Sequence, residues 1–136
     1  MPSEVVARYI DGRVVKGISY DVDPNRNFCH IKTKDKGLVD VHLTDLKALF
    51  FVRDLVGDAN REEGDTLQPA DPRAKGSSSI EVEFADGERV VGLTVRYPPV
   101  RQFFFILPVD PKSNNLRILV NRTAVARMGQ QLDPVV

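Results

Sequence analysis

Tyr9-Ile10-Asp11-Gly12-Arg13 and Phe84-Ala85-Asp86-Gly87-Glu88 stand 75 positions apart and share one pattern, an aromatic residue, an aliphatic residue, then Asp-Gly. Asp-Gly between apolar runs is a strong hairpin signal, because glycine reaches positive φ without a Cβ clash. Working outward, the same spacing pairs Val15 with Val90, Gly17 with Gly92, Ile18 with Leu93, Phe28 with Phe103 and Ile31 with Ile106. A shift of two more pairs Val39, Val41 and Leu43 with Leu116, Ile118 and Val120. The chain therefore reads as two copies of one small β unit.

Each copy reads as five short strands. Ile80, Val82 and Phe84 alternate with Glu81 and Glu83, the mark of a strand with one wet face. Val5, Ala7 and Tyr9 take the equivalent places. Second strands return at 14–20 and 89–97, each holding a glycine (Gly17, Gly92) where strands bulge or bend. Third strands follow at 28–32 and 103–107, fourth strands at 38–43 and 116–121, last strands at 47–52 and 124–128. At most one helical turn separates the last two strands of each copy. No segment carries a 3.6-residue period. Runs of short strands with glycine turns imply a sandwich or barrel. The expectation is an all-β protein of two tandem five-stranded barrels related by internal duplication, residues 1–56 and 80–129. Residues 57–79 hold almost no apolar bulk and read as a flexible linker, and 130–136 as a loose tail.

Composition narrows the function classes. Lys+Arg and Asp+Glu both number 19, and splitting the chain uncovers no basic half, so the dense cationic face of a duplex binder is not expected. No apolar run approaches the roughly 20 residues that span a bilayer, so no membrane partner is expected. The start, Met1-Pro2-Ser3-Glu4, has neither a basic n-region nor an apolar h-region. Cys29 is the single cysteine, which excludes an intramolecular disulfide. Together these point to the cytoplasm.

Val5, Ala7, Tyr9, Asp11, Gly12 and Gly17, then Asp23 followed four residues later by Asn27 and the strand Phe28-Cys29-His30-Ile31, form a recognisable series. In this series the first copy resembles the Sm-like branch of small SH3-like β-barrels, over roughly residues 5–52 and more weakly over 80–128. The resemblance implies the barrel fold and, as an alternative function, single-stranded RNA binding. Asp23, Arg26 and Asn27 would serve in the first copy. In the second, Arg96, Tyr97 and Arg101 place cations beside an aromatic ring, a combination that stacks and neutralises single strands. The chain departs from the family at the turn before the last strand. Sm-like RNA binders carry a basic residue and glycine there, against Leu43-Thr44-Asp45 and Asn121-Arg122-Thr123 here. Pro98 and Gln102 also stand where the second copy would need its Asp and Asn. The stretch 47–54 looks like strands of uncharacterised bacterial domains found beside signalling modules.

Other motifs resolve to ordinary structure. Asp21, Asp23, Asn25 and Asn27 alternate like the start of a calcium loop, but Arg26 and Lys32 occupy the positions that need glycine and a bidentate carboxylate. A loop of turn-forming residues is the expectation. Cys29 and His30 are neighbours on a strand and point to opposite faces, so they do not converge on zinc. No metal or cofactor is expected. There is no Gly-rich phosphate loop, His-Glu-x-x-His helix or Gly-x-Ser-x-Gly elbow, so no enzyme is expected.

Phe103-Phe104-Phe105-Ile106-Leu107 is apolar on both faces, and Leu49-Phe50-Phe51-Val52 behaves similarly. Strands covered on both sides read this way. Phe50, Phe51, Phe103, Phe104 and Phe105 are therefore the expected interface, between the two copies or with another chain. The expected role is non-catalytic binding or scaffolding through protein–protein contacts, accessory to bacterial signalling. Open edge strands make a homo-oligomer the expected state.

Overall fold

A computed structural model describes residues 2–57 and 60–130. The chain forms ten strands: β1 (Ser3–Tyr9), β2 (Val14–Ser19), β3 (Phe28–Lys32), β4 (Leu38–His42), β5 (Leu46–Val52), β6 (Ser78–Phe84), β7 (Arg89–Thr94), β8 (Phe103–Pro108), β9 (Asn115–Asn121) and β10 (Val125–Gly129). Single 3₁₀ turns, Leu43–Asp45 and Arg122–Ala124, lead into β5 and β10. Residues 131–136 of the expected tail lie outside the described residues.

The hairpins form where Asp-Gly stands. Gly12 and Gly87 adopt φ of 96° and 93°, which a Cβ would oppose. The two turns carry the same bonds. Tyr9 N donates to Arg13 O at 2.9 Å and Phe84 N to Glu88 O at 2.8 Å. The Asp11 and Asp86 carboxylates each accept from the backbone N–H two residues on.

All strand pairs are antiparallel and belong to one ten-stranded sheet, in the order β10-β6-β7-β8-β9-β5-β1-β2-β3-β4. The protein is all-β, and its sheet does not close. β10 and β4 are its two edges among the described residues. The halves of the chain join edge to edge, β5 to β9.

Within each half the strand order is the same, fifth, first, second, third, fourth, and so is the register. Val5 opposite Gly17 recurs as Ile80 opposite Gly92, and Ile18 opposite Lys32 as Leu93 opposite Leu107. Ala7 opposite Leu49 recurs as Val82 opposite Met128, with an irregularity at the same place in both fifth strands. One sequence alignment needs correction. Val39 lies opposite Ile31, and Ile118 opposite Ile106, so the fourth strands correspond with a further shift of four residues rather than two. Val39 matches Ile118, and Val41 matches Val120. Side chains alternate with period two, so either even shift keeps the apolar set on one face.

Two cores lie on opposite faces of the central strands. On β5, Leu46, Leu49 and Phe51 enter the first core, while Ala48, Phe50 and Val52 enter the second. On β1, Val5, Ala7 and Tyr9 face the first core and Val6 the second. β8 and β9 divide likewise, Phe103 and Leu119 against Phe104, Ile106, Ile118 and Val120. This double covering explains why every residue of β5 is buried.

The segment leading to β6 is anchored to the turn before β9. Asp110 accepts from Gly64 N at 2.8 Å and from Arg61 Nη2 at 2.7 Å. The Gly64 N–H, despite opposing desolvation and with help from Arg61 and the Lys112 N–H, holds the Asp110 carboxyl down at about 2. Farther on, Arg73 donates to the Pro108 and Val109 carbonyl oxygens, both at 2.9 Å.

Candidate functional site

The five phenylalanines expected at an interface sit inside the monomer. Phe50 and Phe104 belong to the second core, Phe51 and Phe103 to the first, and half-buried Phe105 packs beside the latter pair. Phe51 and Phe105 lie 5.9 Å apart, ring to ring, and the Arg117 guanidinium stacks on both, at 4.2 and 4.5 Å. These side chains seal the joint between the halves of the chain.

The residues of the RNA alternative fall on two loops that meet. Arg101 Nη1 donates to Asn25 Oδ1 and so ties the β7–β8 loop to the β2–β3 loop. A shallow depression of about 350 Å³ lies between them, lined by Pro24, Arg96, Val100, Arg101, Phe103 and Phe105 among others. Arg96 and Arg101 are exposed, whereas Tyr97 is partly buried against the second core. Asp23 is occupied locally, its carboxylate accepting from Asn25 N at 2.9 Å. The Asn27 carbonyl accepts from Leu43 N, as Gln102 O does from Arg122 N. Asp23 and Asn27 thus shape the loop, and Arg26 stands exposed at its surface.

A second cleft, of about 560 Å³, opens where residues 53–57, Arg61 and Glu63 lie beside Val6, Phe50 and Val52. Four of its cations are engaged. Lys16 Nζ donates to Leu55 O at 3.2 Å, and Arg53 Nε to Ser113 O at 3.0 Å. Arg61 pairs with Asp110, and Arg8 lies over the Phe50 ring.

The outer face of β3 and β4 is the most unusual surface, and residue-by-residue reading missed it. Phe28 and Leu38 are 43% and 66% exposed on adjoining strands, next to a charged cluster. His30 Nδ1 lies 2.6 Å from Asp21 Oδ2, and His30 Nε2 lies 3.3 Å from Asp40 Oδ1. The bond to Asp21 raises the His30 pKa above its ordinary value, with both carboxylate charges adding to the effect against desolvation. Desolvation pushes the Asp21 carboxyl up, but the N–H and ring of His30 and the Ser19 hydroxyl outweigh it and leave the carboxyl lowered. The two carboxylates hold opposite edges of one imidazole, an arrangement that leaves no common point for a cation. Among the described residues, no group of three or more His, Cys, Asp or Glu side chains is placed to hold a metal ion. Cys29, on the other face of β3, is buried, and burial pushes its thiol up to about 11.

The fold and these surfaces define an all-β protein with an open antiparallel sheet whose outermost strands, among the described residues, are β10 and β4. The chain belongs to a family of unknown function, DUF6982, whose family model matches residues 1–130. No curated protein and no solved structure matches it. No described helix is long and apolar enough to cross a membrane.

Proposed function

We propose that this protein is a non-catalytic binding or scaffolding module, built of two Sm-like or SH3-like barrel units derived from one duplicated ancestor, and that it works through protein–protein contacts in the cytoplasm. The supporting observation is the sheet itself, which among the described residues ends in two strands paired on one side only, one of them bearing exposed Leu38 next to Phe28. Unpaired edge N–H and C=O groups template pairing with another chain, and exposed apolar groups add area to it. The role accessory to bacterial signalling belongs to the same reading.

Single-stranded RNA binding is the competing reading, and the meeting of Arg96 and Arg101 with the β2–β3 loop favours it. Anisotropy titration with labelled oligo-uridine at low and physiological salt separates the two. The protein-binding reading expects no salt-sensitive association in the micromolar range. Tight, salt-dependent binding that Arg96→Ala with Arg101→Ala abolishes would replace it with the RNA reading.

A further inference from the structure

The joint inside the chain is a template for a joint between chains. β5, the fifth strand of the first half, pairs with β9, the fourth strand of the second half. The two edges left over are β4, the fourth strand of the first half, and β10, the fifth strand of the second. Each molecule therefore carries at its two ends the complementary pair of edges that it has already joined once in its middle.

We infer that the partner of this protein is a second copy of itself, its β4 laid antiparallel against β10 in the register of the internal joint. This deepens the binding-module reading by naming its partner and rests on that reading. The register follows residue by residue. Inside the chain Ala48 faces Val120, Leu49 faces Leu119, Phe50 faces Ile118 and Phe51 faces Arg117. Carrying each position to its counterpart sets Arg127 opposite Val41 of the neighbour. Met128 then faces Asp40, Gly129 faces Val39 and Gln130 faces Leu38.

The surface chemistry of β3 and β4 fits this placement. Phe28 and Leu38 occupy the positions of Phe103 and Arg117. Phe103 is 8% exposed because the internal joint covers it, whereas Phe28, flanked by the His30 and His42 rings, stays 43% exposed. At the internal joint Asn121 Nδ2 donates to Leu46 O at 2.9 Å, bonding one half to the other. His42 holds the place of Asn121 and is an exposed side chain with ring nitrogens suited to reach the Val125 carbonyl of the next copy. Asp40 stands where the internal joint has Leu119, and it enters the contact already paired with His30. The contact is head to tail, so every added copy offers a fresh edge. The assembly closes as a ring or continues as a filament, according to the rotation at each joint. A two-fold β4–β4 pairing is the rival geometry, and it would bring the Asp40 carboxylates of both copies into one contact.

Cysteines placed at Leu38 and Gln130, both exposed, test the inference by register. Chains carrying Leu38→Cys are mixed with chains carrying Gln130→Cys and oxidised, with each variant oxidised alone as a control. The expected result is a disulfide-linked dimer from the mixture and little from either variant alone. Light scattering of the wild-type chain is expected to give a mass of at least two copies, and Leu38→Lys to weaken association roughly tenfold with unchanged circular dichroism. A wild-type chain that remains monomeric across the micromolar range would overturn the inference. So would cross-linking of Leu38→Cys chains to one another in preference to the mixture. Either result leaves the broader protein-binding reading to its own oligonucleotide test.

Discussion

Lys47 Nζ lies 2.7 Å from Asp86 Oδ2, so a side chain on β5 of the first half is bonded to the hairpin of the second. Lys47 also pairs with Glu88 and lies 4.9 Å from the centre of the Phe84 ring. The Lys47 side chain is largely buried while those of Asp86 and Glu88 remain about half exposed. The Lys47 bond is the leading cause of the lowered Asp86 pKa, with the Glu88 N–H adding to it. Lys47→Met keeps the aliphatic stem, frees two carboxylates that water can still reach, and is expected to cost about 1 kcal/mol. Denaturant unfolding checks this, and the Asp86 pKa is expected to move back up in the variant.

Gly17 and Gly92 mark the close crossings of the second strands over the third. A Cβ on Gly17 would collide with the Lys32 carbonyl oxygen and the Ile31 side chain. On Gly92 it would lie 2.9 Å from Ile106 Cδ1 and 3.0 Å from the Leu107 carbonyl oxygen. Gly17→Ala is expected to cost about 2–3 kcal/mol, because backbone would lie only 2.2 Å from the new Cβ, and Gly92→Ala less, because its nearest neighbours lie at 2.9–3.0 Å and need to give by far less. Paired thermal melts give the ranking, and equal costs would contradict it.

Phe104 is 8% exposed and packed in the second core among Ile106, Ile118 and Val120. Phe104→Asp is expected to unfold the chain, since a buried unpaired carboxylate is not tolerated there. Phe104→Ala is expected to destabilise by about 3–5 kcal/mol. Circular dichroism and denaturant titration measure both. A native, fully stable Phe104→Asp chain would show that this side chain is not part of the core.

His30 and Asp21 give a pH window. The folded His30 pKa is raised, so its contribution is complete below the unfolded value of about 6.5 and is lost as pH rises through the folded value. The folded Asp21 pKa is lowered, so its contribution is present above about 3.9 and is lost as pH falls through the folded value. The stabilising effect of the pair is expected to peak between these limits. Melting temperatures of wild type and His30→Ala should differ most near pH 5 to 6 and converge at alkaline pH. A gap that stays constant across the titration would exclude the pairing.

Much of this architecture is legible in the residues. The alternation of Ile80, Val82 and Phe84 marks β6, the Asp-Gly pairs mark the tight hairpins, and the apolar run on both faces of β8 marks two-sided burial. The candidate surface on β3 and β4 was hidden, because Phe28 and Leu38 look like ordinary core positions until their neighbours in space are known. The loops bearing Asn25 and Arg101 are 76 residues apart in sequence, and no local signal announces their contact.

The sequence by itself determined the strands and the turns between them, since both follow from side-chain alternation and local backbone freedom. The tertiary structure decided which fourth strand meets which fifth, the four-residue shift between the halves, and which apolar faces are covered. Side-chain alternation has period two and looks the same after any even slip, so only the backbone pairing of distant strands could make those choices.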